Sequence, residues 1–335
     1  MDDLDLSILR WMYPGGRAWP WGADPRITPS DIASHVGLDR TAIWGRIRKW
    51  RREGFWDGFE VILNLRTLGL GQVRAEIYVA DSAEGWALFD QLEHMDGILM
   101  ARIALGDTIT SRDVELVAVN MVADDPARVA RRMRILRQLS PTGNVEGPFP
   151  EETPLVGREL TPLDWRIVAA IIANPNASPS RVARLVDVTY KTFVRHHSAL
   201  IDDHAVFYHP RIDWSKLGCI FLSFYCHEAA DVDRVQRAVE ARFPHSIPIA
   251  RDNAEGQSAE WEMSTCFATI VPVRSPSEVQ TLVRDLSMVS GVKLVRPEYW
   301  GPNRLFPRWV NQRISERLAS QRAGAVRGSG VTLSG

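Results

Sequence analysis

Along the first 58 positions, apolar residues recur at the spacing of amphipathic helices. The segment LDLSILRWMY, which starts at residue 4, predicts a first helix. The segment TPSDIASHVG (28–37) predicts a short second helix, because it has a threonine N-cap, a proline in its first turn and a terminal glycine. A three-residue turn leads to a longer helix, predicted from about Asp39 to Glu53 and ended by Gly54. The pattern is typical of a helix-turn-helix unit.

Beyond residue 58 the pattern changes to short runs rich in β-branched residues. FEVILNL (59–65) predicts a wing strand, and VRAEIYV (73–79) predicts the first strand of a sheet. The segments that follow predict, in order, helix SAEGWALFDQLEHM, strands ILMARIALG and VELVAVNMV, helix PARVARRMRILRQL and strand NVEGPF. The order β-α-β-β-α-β predicts a ferredoxin-like sandwich, with helices on one face of an antiparallel sheet.

The same succession returns 150 residues downstream. Residues 28–56 align without a gap on residues 178–206, and 124–139 align on 274–289. The fold class we predict is α+β, with two tandem copies of a winged helix-turn-helix followed by a ferredoxin-like βαββαβ domain. The predicted domains are 1–58 and 151–208 for the two winged helix-turn-helix units, 59–150 and 209–303 for the two ferredoxin-like domains, and 304–335 for a C-terminal helix and flexible tail.

Composition narrows the class of protein. The chain has 335 residues, of which 45% are hydrophobic and 24% charged, as in ordinary globular proteins. No apolar run is long enough for a membrane span, no secretory signal is visible, and three cysteines are too few for a disulfide framework. We therefore expect a cytoplasmic protein. The net charge of −1 does not indicate a protein that coats nucleic acid non-specifically. A local basic helix would still be sufficient for DNA binding, so the distribution of charge along the chain has to be considered.

Positive charge is concentrated on the predicted helix from Asp39 to Glu53, which has six cations and two anions. At 100° per residue, Ile43, Ile47 and Trp50 share the side that packs on the preceding helices. The opposite face suits the major groove, where arginine pairs with guanine edges and other cations contact phosphates; the alternative is a solvated basic face. A glycine at the centre of this face lowers helix stability by roughly 0.8–1.0 kcal/mol relative to alanine. Close approach of a large ligand to the backbone would explain its presence. The predicted DNA contacts here are Arg40, Thr41, Trp44, Gly45, Arg48, Lys49 and Arg52.

The corresponding helix of the second copy differs chemically. Residues 187–203 contain two cations and three carboxylates, and Asp202 would lie unfavourably near phosphates. Lys191 and Arg195 are its predicted DNA contacts, and we expect this unit to bind DNA weakly or to serve as a structural or partner surface. His197 takes the position of a core residue. It is either a hydrogen-bonded core histidine or a titrating group, because a charged imidazole would be expelled from an apolar face.

The arrangement resembles the Lrp/AsnC family of feast/famine transcriptional regulators. The resemblance is carried by LDLSILR (4–10), TPSDIASHVGLDRTAIWGRIRKWRREG (28–54) and IALGDTITSRDVELVAV (103–119). In that family the N-terminal part binds DNA, and the ferredoxin-like part dimerises through its sheet and binds small effectors such as amino acids. The effector segment of the family corresponds loosely to Leu105, Gly106, Asp107 and Asp113, with a longer spacing here.

The resemblance implies a sequence-specific transcriptional regulator that binds double-stranded DNA and responds to a small, amino-acid-like effector. Two fused copies would act as a pseudo-dimer, and further homo-oligomers would form through the ferredoxin-like sheets or the C-terminal helix. The sequence predicts no catalytic residue, metal site or cofactor.

Two alternatives stay open. Sirohaem decarboxylases look like two such modules, and Arg102, Arg251, His245 and Trp261 could hold an acidic tetrapyrrole, because arginine matches carboxylates. Their Arg-Arg-Pro and Trp-x-Tyr-Asn segments are absent from RIALGDTITSRDVELVAVN and RDNAEGQSAEWEMSTCF, which disfavours this enzyme. A protein-interaction scaffold is the second alternative, and it leaves the basic helix unexplained.

Overall fold

The structure, a computed structural model, describes residues 2–12, 24–107, 113–151, 153–213, 216, 219–226, 231–243, 246–253, 265–273 and 276–328. It combines helices with antiparallel sheets, so the predicted α+β class is confirmed. In the part of the chain so described, no helix is both long enough and apolar enough to cross a membrane.

The first half of the chain begins with three helices, which we call the first helical unit: α1 (Asp3–Met12), α2 (Pro29–Val36) and α3 (Arg40–Arg52). Next come β1 (Trp56–Leu63), a short 3-10 helix (Leu65–Leu68), β2 (Gly71–Val79), α4 (Ser82–Leu92), β3 (Ile98–Asp107), β4 (Asp113–Ala123), α5 (Pro126–Leu139) and β5 (Val145–Glu151). Thr28 caps α2, and Gly37 ends it in the left-handed conformation at φ 71°. Both the threonine cap and the terminal glycine were predicted from the sequence.

The second half begins with the second helical unit: α6 (Pro162–Ala173), α7 (Pro179–Leu185) and α8 (Tyr190–Asp202). It continues with β6 (Val206–Ile212), β7 (Cys219–Cys226), α9 (Val232–Arg242), β8 (Ile247–Asn253), β9 (Thr265–Pro272), α10 (Pro276–Ser287), β10 (Val292–Leu305) and α11 (Arg308–Gly328). Helices α3 and α8 begin and end at positions that differ by 150 residues.

The backbone keeps the same unusual conformations at this offset even where the residue type changes. Gly37 and Gly54 have φ angles of 71° and 65°, and the residues 150 positions later, Asp187 and His204, have φ angles of 52° and 56°. Positive φ is uncommon for residues other than glycine, and aspartate and histidine are among those that tolerate it best. The turns that end the second and third helices therefore correspond in the two halves.

Each half contributes one strand to a small antiparallel sheet, in which β1 pairs with β6. The predicted domain boundaries after residues 58 and 208 fall inside these two strands. The other strands form one eight-stranded sheet in the order β5-β2-β4-β3-β10-β7-β9-β8. The long strand β10 joins the halves, because Val292–Glu298 pairs with β7 and Glu298–Leu305 pairs with β3.

Strands of each half contribute core residues to the helical unit of the other half. Ile270 of β9 belongs to the core of the first helical unit, whereas Val61 and Leu63 of β1 belong to the core of the second. Helix α11 packs against α6 and buries Ile314 there. The apolar side of this C-terminal helix is thus used within the chain, so Ile314 is not available for the oligomer contact that the sequence predicted for this helix.

Candidate nucleic-acid interface

Helix α3 is held by a capped N-terminus and a buried apolar side. The Asp39 carboxylate accepts a hydrogen bond from the backbone N–H of Ala42 at 2.9 Å, and such backbone donors lower the pKa of Asp39. Ile43, Ile47 and Trp50 are buried, as the helical spacing predicted. The cap satisfies a backbone donor at the helix start, and the buried side fixes which face of α3 points outward.

The outward face of α3 is cationic. Trp44 lies beside it with 36% of its surface exposed, and the Nε atom of Arg48 donates to the Trp44 carbonyl oxygen at 3.3 Å. The other exposed residues of this face are Arg40, Thr41, Gly45, Arg48, Lys49 and Arg52. Among the residues that the structure describes, none forms an ion pair with any of the four cations in that set. Their charges are therefore available to an external anion.

Arg46, which contributes to the charge count of this helix, points elsewhere. Its Nη1 atom lies 2.7 Å from an Asp5 carboxylate oxygen and 2.8 Å from one of Asp2. Asp5 is 3% exposed and also accepts from the indole N–H of Trp50 at 3.2 Å. The hydrogen bond with Asp5 raises the pKa of Arg46. Sequence reasoning missed this pair, although an aspartate on the apolar side of α1 was a signal for it.

Gly45 sits at the centre of the exposed face with open space around it. A Cβ atom built at this position would meet no atom within 4 Å. Its backbone is helical, since it is not among the residues with positive φ. Neither internal packing nor conformation therefore requires a glycine here.

Helix α8 is built in the same way but pairs with different groups. Thr189 caps it, accepting from the N–H of Thr192 at 3.1 Å, and Phe193 is among its buried residues. The Nδ1 atom of His196, the counterpart of Arg46, lies 2.8 Å from an Asp164 carboxylate oxygen. Asp164 is fully buried and also accepts from Arg158. Although burial alone raises it, the pKa of Asp164 is held well below its ordinary value by these hydrogen bonds.

His197 is partly buried and hydrogen-bonded on the inner side of α8, at the position of a core residue as predicted. Its Nε2 atom lies 2.6 Å from the Tyr208 hydroxyl, and its ring stacks on Phe193 with 5.2 Å between centroids. Burial, together with the nearby positive charge of Arg26, lowers the pKa of His197 to about 4. The side chain is therefore neutral near pH 7.

The outer surface of α8 is partly engaged by the first half of the chain. Lys191 and Arg195 are exposed, as predicted. At the C-terminal end, however, Asp202 forms an ion pair with Arg26 at 2.7 Å, and Arg26 is itself held by Asp24 at 2.8 Å. The segment that leads into α2 thus lies against the C-terminal end of α8. The position of α3 that corresponds to Asp202 is occupied by the exposed Arg52.

The predicted effector residues come together at one end of the sheet. Leu105, Gly106 and Asp107 end β3, and Asp113 begins β4 in register with Asp107. Gly106 is also paired with Glu298 of β10. Backbone pairing therefore brings all four positions to the β3-β4 hairpin, beside the strand that joins the halves. The loop between them, 108–112, lies outside the described residues.

The four residues considered for a tetrapyrrole are spread over the chain. Arg102 lies on β3 and Arg251 on β8, with three strands between these two in the sheet order. His245 and Trp261 lie outside the described residues. Within the portion of the chain that the structure covers, no group of three or more histidine, cysteine, aspartate or glutamate residues is placed to hold a metal ion.

Comparisons with known proteins give likenesses of structure alone. No family model matches the chain, and no curated protein matches it. Two structures of the siroheme decarboxylase NirDL, one free and one with an iron-uroporphyrin III analogue, align with 96% of this chain and with 100% and 99% of theirs, at 13% and 12% identity and a TM-score of 0.48. MtbAldR aligns with 48% of this chain and all of its own, at 16% identity and a TM-score of 0.33. At these values the comparisons assign no function, and the decarboxylase class stays open beside the regulator class.

Proposed function

We propose that the chain is a sequence-specific DNA-binding regulator of the Lrp/AsnC type, in which α3 enters the major groove. We interpret α1–α3 with β1 as a winged helix-turn-helix, and β2–β5 with α4 and α5 as a ferredoxin-like domain; the second half repeats both. The observation that carries the proposal is the outward face of α3, where Arg40, Arg48, Lys49 and Arg52 are exposed and no described residue pairs with their charges.

The shape of α3 supports this use. Its 13 residues span roughly 20 Å at the rise of an α-helix, and the major groove, roughly 12 Å wide, admits a single helix. Arg48 and Arg52 are separated by one turn, so both point to the same side. Such a pair can contact base edges or phosphates, while Thr41 at the N-terminal end supplies a hydroxyl that bonds to either.

The second helical unit has a different role in this proposal. The Arg26–Asp202 ion pair and the carboxylates near the end of α8 oppose close approach of phosphates. We propose that α8 adds at most a weak contact through Lys191 and Arg195, and that this unit mainly supports the first. We also propose that the β3-β4 hairpin end, with Gly106 and Asp113, is where a small effector acts.

The experiment compares matched double variants of α3 and α8. A duplex is first selected by the wild-type protein from a randomised DNA library, and binding is then followed by fluorescence anisotropy over a range of salt concentrations. We expect Arg48→Ala/Arg52→Ala to weaken binding at least about tenfold and to lower the salt slope by about 2, because each contact of this kind is worth roughly 1–3 kcal/mol or one released counterion. The control, Lys191→Ala/Arg195→Ala, should change affinity much less.

Two results would overturn the proposal. One is equal binding by the wild-type protein and the α3 variant at every salt concentration. The other is a failure to select any duplex, together with a change in the visible absorption of an added iron uroporphyrin that saturates at one molecule per chain. That second pattern would assign the chain to the tetrapyrrole enzymes instead.

A further inference from the structure

The two helices that cover the first half of the large sheet carry opposite charge. Residues 81–93, which include α4, contain four carboxylates and no lysine or arginine. Helix α5 contains five arginines and no carboxylate. Both helices bury their apolar sides in one core on the same face of the sheet, so their outer sides form one surface divided into an acidic and a basic half. We call it the α4/α5 face.

Most of this charge is not neutralised within the chain. Arg132 is buried and paired with Asp124, which also binds Arg128. Arg131, Arg134 and Arg137 are exposed, and no described residue forms an ion pair with them. At the C-terminal end of α4, Asp90 and Glu93 share one cation among the described residues, Arg304 of β10, at 2.8 and 3.8 Å. The α4/α5 face thus presents an excess of positive charge beside an excess of negative charge.

An aromatic anchor lies in the acidic half. Trp86 is 44% exposed on the outer side of α4, where its ring meets Phe89 edge to face. Exposed tryptophan and arginine are the residue types most enriched at the energetic centres of protein interfaces. An arginine brought over the indole ring would add a cation–π contact.

The corresponding helices of the second half lack this pattern. Helix α9 has three arginines and two carboxylates, and α10 has one arginine and two carboxylates. Glu240 of α9 is paired with Arg10 of the first helical unit. A general requirement of helices on this sheet therefore does not explain the separation of charge on the α4/α5 face.

We propose that the α4/α5 face binds a second copy of the same chain. Helices α4 and α5 run antiparallel, because each connects strands of fixed direction in the order β5-β2-β4-β3. A two-fold axis along the middle of the face would place α4 of each copy on α5 of the other, and both contacts would join opposite charges. A mixed surface of this kind is complementary to itself, whereas a polyanion such as DNA would be repelled by its acidic half.

The test is a reciprocal charge exchange in the full-length protein, followed by sedimentation velocity at low and high ionic strength. Wild-type protein should dimerise at low ionic strength and dissociate as salt screens the ion pairs. Arg131→Glu/Arg134→Glu and Asp90→Lys/Glu93→Lys should each weaken self-association at least about tenfold, since in each variant homodimer both pairs of facing helices carry like charge. An equimolar mixture of these two variants should form a heterodimer, because both pairs of facing helices are then again of opposite charge.

Two further variants test whether the contact uses the indole ring and this face in particular. Trp86→Ala should weaken the dimer without any change of net charge, and Arg234→Glu/Arg237→Glu on α9 should leave it intact. Circular dichroism establishes that each variant is folded. The proposal is overturned if the wild-type chain stays monomeric at low ionic strength, or if the mixture does not restore association. It is equally overturned if Arg131→Glu/Arg134→Glu lowers DNA affinity and leaves the oligomeric state unchanged, because α5 would then be a nucleic-acid contact.

Discussion

The first and second helical units use the same internal plan with different chemistry. In each, an aspartate on the first helix is buried against the third helix: Asp5 binds Arg46, and Asp164 binds His196, the residue 150 positions after Arg46. In the first unit, Asp5 also accepts from the indole of Trp50. In the second unit, Arg158 supplies the permanent positive charge from outside the three helices.

The outer surfaces differ more than the interiors. Arg52 on α3 is exposed, whereas Asp202, its counterpart on α8, is paired with Arg26. The position of Gly45 on α3 is occupied by Arg195 on α8. Buried positions are constrained by packing and by the need to pair polar groups, but exposed positions respond to what binds there. The contrast favours a first unit shaped for an external ligand and a second unit kept for its internal contacts.

The largest expected effect tests whether the two buried aspartates are equivalent. Asp164→Ala leaves Arg158 and His196 without their shared carboxylate, and we expect it to lower the free energy of unfolding by about 3–5 kcal/mol. Asp5→Ala should lower it less, by about 1–3 kcal/mol. Arg46 and Arg158 each keep a second carboxylate, but Asp164 also accepts hydrogen bonds from the backbone N–H and the hydroxyl of Thr161, which its removal leaves without that acceptor. Urea unfolding at neutral pH followed by circular dichroism measures both values.

The pH dependence of the free energy of unfolding tests the same comparison of the two buried aspartates. Because the pKa of Asp164 in the folded chain lies below its ordinary value, its contribution to stability is complete above about pH 4 and is lost as the pH falls through the folded value. The free energy of unfolding of the wild-type protein should therefore fall in acid. That of Asp164→Ala should fall less, because this variant lacks the carboxylate at every pH. Equal costs for the two alanine variants would contradict the difference we draw between the units.

The next largest expected effect is the loss of stability in acid that is due to His197. Its pKa in the folded chain is about 4, below the ordinary value of 6.5, so the unfolded chain binds the proton more tightly. The stability due to the neutral imidazole is therefore complete above about pH 6.5 and declines as the pH falls towards 4, by at most roughly 3 kcal/mol. Ile47, its counterpart, does not titrate. Acid should thus weaken the second helical unit before the first.

The check is a pair of substitutions that copies the first unit into the second. His197→Ile/Tyr208→Phe replaces the imidazole with the residue found at position 47 and removes the hydroxyl that would lose its partner. Thermal unfolding between pH 4 and 7 should then show a shallower pH dependence than wild type. An unchanged slope over this range would mean that another group is responsible for it.

The features that the sequence predicts best follow from short-range rules. Helix α3 was expected from about Asp39 to Glu53 and spans Arg40–Arg52, because capping and the 3.6-residue period act within a few turns. The buried side with Ile43, Ile47 and Trp50 follows from the same period. For the same reason, the order of strands and helices in both halves was predictable.

Contacts between distant segments were not predictable in this way. The period gives the direction of Arg46 on α3, but no local rule reveals that Asp5, 41 residues earlier, lies there. The pairing of β1 with β6 and the double use of β10 depend on how the halves join, which no window of sequence contains. The Arg26–Asp202 pair belongs to the same class, so the accessibility of α8 needed the structure.

The smallest expected effect concerns Gly45 and joins stability to binding. Alanine in place of a glycine within an exposed helix is favourable by about 0.8–1.0 kcal/mol, and the added Cβ meets no atom of the chain. Gly45→Ala should therefore raise the free energy of unfolding by about that amount. If DNA approaches the backbone of α3 at this point, the same methyl group must lower DNA affinity, so that stability and binding change in opposite directions. Arg195→Ala, at the equivalent position of α8, should alter both quantities little. Gain of stability with unchanged DNA affinity would show that the groove does not meet α3 at its centre.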